Sequence, residues 1–171
     1  MVTLMVVLGS GGHTAEMLTL LSAISFKQQS KHKIHFIAAK TDTHSHEKAL
    51  KWLSSKKIQA EFHFIARARE VGQRWCSSII TSVVSLISSI HLMWICPDIL
   101  LVNGPGTCVP LVIHAFISKC FRPNRIIYVE SFARVNTLSL TGKIVYPLVD
   151  RFIVQWPDLV EGKTEYIGKL Y

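Results

Sequence analysis

The sequence is short of the features that define several large protein classes. Charged residues make up only 18% of the 171 residues. There is no block of like charge, no low-complexity tract and no internal repeat, so neither a disordered tail nor a solenoid is expected. Its four cysteines, Cys76, Cys96, Cys108 and Cys120, include no pair two residues apart. That spacing argues against a cysteine-type zinc centre, and no metal site is expected. Three of the thiols sit in apolar surroundings and read as ordinary buried cysteines. Asn103, Asn124 and Asn136 all fail the N-x-S/T pattern. The simplest environment is therefore reducing and cytosol-facing. No cleavable leader is expected, since Met1 is followed almost at once by a strand-like run.

Apolar residues are plentiful at 49%, and the formal net charge is +8. The length suits one domain with a real core. The positive balance suits an anionic lipid surface or a phosphorylated ligand. The basic residues are scattered and no nucleic-acid-binding motif occurs, so nucleic acid is not an expected partner.

Strand-like and helix-like segments alternate. "VTLMVVL" (2–8), "KIHFIAA" (33–39), "AEFHFIA" (60–66), "ILLVN" (99–103), "RIIYVE" (125–130) and "RFIVQW" (151–156) read as strands. Residues 14–25, 43–54 and about 75–95 read as helices, as does the segment from Val109 to Cys120. Alternation of this kind predicts a doubly wound, Rossmann-like parallel sheet of class α/β, one domain over residues 1–171. Ligands of such sheets bind beyond the carboxyl ends of the strands. Three distinctive segments fall there: "GSGGH" (9–13), "NGPGTCVP" (103–110) and "ESFAR" (130–134).

Gly9, Ser10, Gly11 and Gly12 offer close backbone approach and free helix-start amides, which suit a phosphate as well as a plain tight turn. The segment is not G-x-G-x-x-G with an acidic residue after the second strand, and it is not a Walker motif. His13 is either a base or a turn cap. Asn103, Gly104, Gly106 and Thr107 either contact a sugar or phosphate or form a rigid connector around Pro105. Glu130 ends a buried strand and needs a partner, either Arg134 or a ligand hydroxyl. Arg134 is a candidate phosphate partner.

The stretch "IITSVVSLISSIHLMWIC" would span about 27 Å as a helix. Ser78, Ser82, Ser85 and Ser89 form one weakly polar stripe on it. It reads either as a core helix, with the stripe packing closely or facing water, or as a helix lying in a membrane interface. Arg67, Arg69 and Arg74 precede it, and Trp75 and Trp94 mark its ends.

Together, "GSGGHTAEML", "NGPGTCVP", "YVESFARVNTLSLTGK" and "DRFIVQWPDL" resemble the signature blocks of the asparagine-linked glycosylation protein fourteen family, from residue 9 to residue 159. More distantly, the pattern is similar to the N-terminal half of the bacterial peptidoglycan N-acetylglucosaminyltransferase. The resemblance implies half of a GT-B glycosyltransferase, the membrane-recruiting subunit of a dolichol-pathway UDP-N-acetylglucosamine transferase. A separate donor-binding catalytic subunit is the implied partner. The implied acceptor is N-acetylglucosaminyl-diphosphodolichol, at the cytosolic face of the endoplasmic reticulum membrane. It implies His13 as base and Glu130 as runner-up base or acceptor-orienting group. Gly9, Gly11, Gly12, Asn103, Gly104, Gly106 and Arg134 would line the acceptor diphosphate. No metal or cofactor is implied, and no D-x-D occurs. Members typically open with a membrane-spanning helix, whereas this sequence opens at a strand, which shifts weight to the 75–95 helix for membrane contact. The tail 156–171, with Tyr166, Ile167, Leu170 and Tyr171, is the implied partner-docking segment or a tail folded back on its own domain. A recruiter without catalytic residues and a free-standing nucleotide-sugar-binding domain are the competing readings.

Overall fold

A computed structural model describes residues 2–24, 32–68, 73 and 75–168, with the side chains of residues 75–77 left aside. Arg69, Arg74, Leu170, Tyr171 and the Trp75 side chain, all singled out above, lie outside the described residues. The strands are β1 (Val2–Val7), β2 (His32–Ala39), β3 (Glu61–Ile65), β4 (Ile99–Asn103), β5 (Arg125–Val129), β6 (Arg151–Ile153) and β7 (Thr164–Glu165). The helices are α1 (Gly12–Ala23), α2 (Thr43–Lys56), α3 (Trp75–Ser88), α4 (Cys108–Ser118) and α5 (Leu140–Val145).

All pairings are parallel, in the order β3-β2-β1-β4-β5-β6-β7. The chain order therefore reverses between β1 and β4, the position where doubly wound sheets hold ligands. Side chains alternate across the sheet. Val6 and Leu8 pack with Met17, Leu21, Phe36, Ala49 and Leu53, so α1 and α2 cover one face. Met5 and Val7 pack with Leu100, Val102, Leu111, Val112, Tyr128 and Phe152 on the other, under α4 and α5.

The expected 75–95 helix is interrupted. α3 ends at Ser88, and Ile90–Ile95 continue as a 3₁₀ turn closed by Cys96 in the left-handed region at φ 43°. The polarity of α3 is the reverse of a solvated helix. Ser85 and Ser89 are fully buried and Ser78 nearly so, while Ile79, Ile80, Val83, Val84 and Ile87 face outward. The serines are inward because they satisfy a strand end: Ser85 Oγ donates to the Ala66 carbonyl at 2.7 Å and Ser88 Oγ accepts from the Ala66 amide at 3.0 Å. The small side chains let α3 sit close to that backbone. Among the described residues, no helix is long and apolar enough to cross a membrane.

α5 and β7 were not anticipated, because each is very short. β7 brings the chain after Trp156 back onto β6. Of the described cysteines, Cys108 is buried, Cys96 half-buried and Cys120, just after α4, exposed; the Cys76 side chain lies outside the described residues.

Two aspartates fasten the amino ends of strands. Asp98 accepts from the Thr3 amide at 2.7 Å and from Arg122 at 2.9 Å. Asp150 accepts from the Ile126 amide at 2.7 Å and from Lys119 Nζ at 2.7 and 2.8 Å. Burial by itself raises the Asp150 carboxyl, but Lys119 and the Ile126 amide outweigh it and hold the group below its ordinary 3.8. A depressed folded-state pKa contributes stability above the unfolded value, and that contribution is lost as pH falls through the folded one. Asp150→Asn is expected to lower the unfolding free energy by about 1–2 kcal/mol at pH 7. In denaturant titrations the gap between the two proteins narrows as pH drops below about 4.

Candidate functional site

The two glycine turns meet at the β1/β4 switch point. After β1, Gly11 adopts φ 69°, ψ −121°, a conformation that favours glycine, and starts α1 without any side-chain cap. The first-turn amides of α1 are left for another partner. After β4, Gly104 turns at φ 44°. The loops interlock through contacts that only glycine allows. A Cβ at Gly104 would lie 2.2 Å from His13 Cε1, and a Cβ at Gly9 would lie 2.6 Å from Pro105 Cγ. The His13 imidazole thus packs directly against Gly104. Asn103 Nδ2 donates to the His13 carbonyl at 2.8 Å and fixes the first turn of α1 to the end of β4.

Further hydrogen bonds hold the first turn from behind. Thr14 Oγ1 donates to the Gly9 carbonyl and bonds Ser45 Oγ at 2.8 Å. Asp42, just after β2, caps α2 by accepting from the Ser45 amide at 3.2 Å and from Ser45 Oγ at 2.7 Å. An acidic residue does follow the second strand, without the G-x-G-x-x-G spacing before it. Its role here is to cap α2 and brace the glycine turn.

The third loop joins through Glu16, which the sequence reading missed. Glu16 Oε2 lies 3.6 Å from His13 Nδ1, one helical turn away. Its other oxygen accepts from Ser131 Oγ at 2.8 Å and from the Phe132 amide at 3.3 Å. Burial raises the Glu16 carboxyl, but His13, Ser131 and the Phe132 amide together bring it below its ordinary value. It is a carboxylate facing an imidazole, bound to the loop after β5. The i, i+3 spacing in "HTAE" was the available signal.

Glu130 departs from its expected partner. Its carboxylate is fully buried and does not pair with Arg134. Instead Oε2 accepts from the Ser139 amide at 2.8 Å, and Oε1 accepts from the Ser131 amide at 3.0 Å and the Tyr128 hydroxyl at 3.3 Å. Backbone amides are better placed than an exposed guanidinium to neutralise a carboxylate at this depth. Ser139 also caps α5 through the Gly142 amide, where a Cβ would lie 2.7 Å from Glu130 Oε2. Glu130 thereby closes both ends of the 131–139 loop.

The three loops border one cavity of about 910 Å³. Its polar wall holds Gly9, Ser10, His13, Asp42, Arg67, Gly104, Gly106, Thr107, Ser131 and Arg134. Its apolar wall holds Ile79, Val83 and Leu86 of α3, Val109 and Ile113 of α4, and Leu140 and Ile144 of α5. Arg67 and Arg134 make no ion pair with an acidic side chain among the described residues. Gly11 and Gly12 lie outside the cavity wall, and Asn103 and Glu130 stand behind it. Trp94 is 89% exposed beyond the cavity. Tyr166 and Ile167 are partly exposed just after β7, at the same carboxyl edge of the sheet.

A family model described as "Oligosaccharide biosynthesis protein Alg14 like" matches residues 4–170. The chain is 44% identical over 173 residues to the UDP-N-acetylglucosamine transferase subunit alg14 of Schizosaccharomyces pombe, covering 96% of this chain and 81% of that one. It is 40% identical over 181 residues to the subunit of the same name from Homo sapiens, covering 98% and 82%. Among solved structures, Acinetobacter baumannii MurG aligns with a TM-score of 0.67 at 13% identity, covering 99% of this chain and 46% of that chain. The chain spans less than half of MurG's length, and the likeness concerns the fold.

The interlock makes the glycines unequal. Gly104→Ala meets both a positive φ and the His13 ring, and is expected to cost about 1–3 kcal/mol of unfolding free energy. Gly12→Ala, with nothing within 4 Å of an added Cβ, is expected to change it by less than about 0.5 kcal/mol. Denaturant unfolding of the two variants checks the contrast.

Proposed function

The chain belongs to the Alg14 family of oligosaccharide biosynthesis proteins, and from that premise we propose how its cleft serves the transferase of which it is a subunit. The transferase uses UDP-N-acetylglucosamine, and a catalytic partner subunit completes it. The proposal is that this chain supplies the acceptor side. The acceptor is a membrane-held N-acetylglucosaminyl-diphosphodolichol on the cytosolic face of the endoplasmic reticulum, and the partner presents the donor sugar.

The observation that carries this reading is the two-sided cavity. Its polar wall has two guanidiniums without an acidic partner among the described residues, with the open amide end of α1 beside it. That wall suits a diphosphate. Its apolar wall runs into the outward face of α3, which suits the first units of a prenyl chain rising from a bilayer. Ser10, Gly106 and Thr107 then contact the diphosphate or the acceptor sugar, and Arg67 and Arg134 neutralise it. His13 takes the proton from the attacking acceptor hydroxyl on Nε2, while Glu16, on the Nδ1 side, holds the ring in position. Glu130 acts at one remove by ordering the loop that carries Arg134. Tyr166 and Ile167 leave the sheet at the edge where the donor-binding subunit must dock. The α3 face lies in the membrane interface with Trp94 at its end, and the net charge of +8 favours an anionic leaflet.

In the reconstituted two-subunit enzyme, His13→Ala is expected to lower kcat by about 10²–10³-fold while co-purification with the partner stays normal. Glu16→Gln gives a smaller loss with an altered pH–rate profile. Unchanged turnover in both would favour the pure recruiter. The isolated chain is expected to show no transfer. Separately, Ile80→Glu combined with Ile87→Glu is expected to abolish co-sedimentation with anionic vesicles without lowering the melting temperature, because both side chains point away from the core.

A further inference from the structure

On the outer strands, three side chains converge away from the cavity. β3 pairs with β2 so that Glu61 lies beside His35 and His63 beside Ile37. Residues two apart on a strand share a face, so Glu61 and His63 flank His35 on one side of the sheet. His35 Nδ1 lies 2.9 Å from His63 Nε2. Glu61 Oε2 lies 3.4 Å from His35 Nδ1 and 3.9 Å from His63 Nε2. Lys33 Nζ takes the other Glu61 oxygen, Oε1, at 3.0 Å.

The triangle brings two imidazole nitrogens and one carboxylate oxygen to a common point. Two neutral imidazoles share one proton along the 2.9 Å contact. With the proton of each ring on its other nitrogen instead, the two lone pairs and Glu61 Oε2 converge on one point. Zinc bonds to nitrogen and oxygen of about 2.0–2.2 Å, arranged tetrahedrally, place donor atoms about 3.3–3.5 Å apart. The three separations observed straddle that value. Burial falls off across the cluster. His35 is buried inside the sheet, His63 is half-buried on the edge strand, and Glu61 is exposed, leaving room for a water as fourth ligand.

We propose that His35, Glu61 and His63 bind one divalent zinc-type cation, which staples the edge strand β3 to β2. The neighbouring basic side chains are Lys33, which contacts a different carboxylate oxygen, and His91 on the 3₁₀ turn near His63. The ion takes no part in sugar transfer. His35 lies four residues before Ala39, the β2 residue that lines the cavity, or about 13 Å along the strand.

The test is a Zn²⁺ titration of the chelator-stripped full chain by calorimetry, with melting temperature recorded in parallel. The expected result is one ion per chain and a raised melting temperature. His63→Ala and Glu61→Gln are each expected to weaken binding by about tenfold or more, and His44→Ala, exposed on α2, leaves it unchanged. Glu61→Gln alters only an exposed side chain, so it keeps the test valid if His63→Ala does not fold. No binding in the natural protein, or the same affinity in all four proteins, overturns the proposal.

Discussion

The contact on which the site depends is that of an imidazole packed against a bare peptide. His13 covers Gly104 and Pro105 covers Gly9, and neither fit survives a Cβ. This interlock joins the loops after β1 and β4 where the sheet changes direction. From there the remaining parts follow by hydrogen bonds. Asn103 ties α1 to β4, Glu16 ties α1 to the loop after β5, and Glu130 closes that loop onto α5. Three segments far apart in sequence become one wall because each is fastened to the same short stretch of α1.

The second organising constraint is the inversion of α3. A helix on a solvated domain ordinarily hides its apolar stripe. Here the serines are needed inside, where they satisfy the backbone of Ala66 and the strand end it continues. The isoleucines and valines are left outside, next to the apolar wall of the cavity. An outward stripe of this size is unfavourable in water and favourable at a lipid surface. In the proposed reading, one helix both lines the acceptor cleft and holds it against the bilayer.

Much of the architecture was legible in the sequence because continuous β-branched runs such as "VTLMVV" mark buried parallel strands. Their alternation with helical periods predicts the doubly wound sheet, and the glycine turns mark its carboxyl edge. What escaped were features decided by tertiary contacts. Periodicity could establish that Ser78, Ser82, Ser85 and Ser89 share a stripe, but the orientation of that stripe depended on where Ala66 sits. Glu130 paired with local amides, because a fully buried carboxylate is better served by fixed donors than by the exposed Arg134. β7 and α5 are too short for any periodic signal. The roles of Glu16 and Asp42 come from the fold, which places Ser131 beside the one and the Ser45-braced Gly9 turn beside the other.

The central claim is that one lipid-linked diphosphate sugar spans the polar and apolar walls of a cavity built from three loops. Hydrogen exchange of the chain with a short-chain prenyl-diphosphate N-acetylglucosamine tests it most directly. The account predicts joint protection of residues 9–13, 104–107 and 131–139, with β3 unaffected. Protection confined to one of these loops, or falling on a different edge of the sheet, would contradict it.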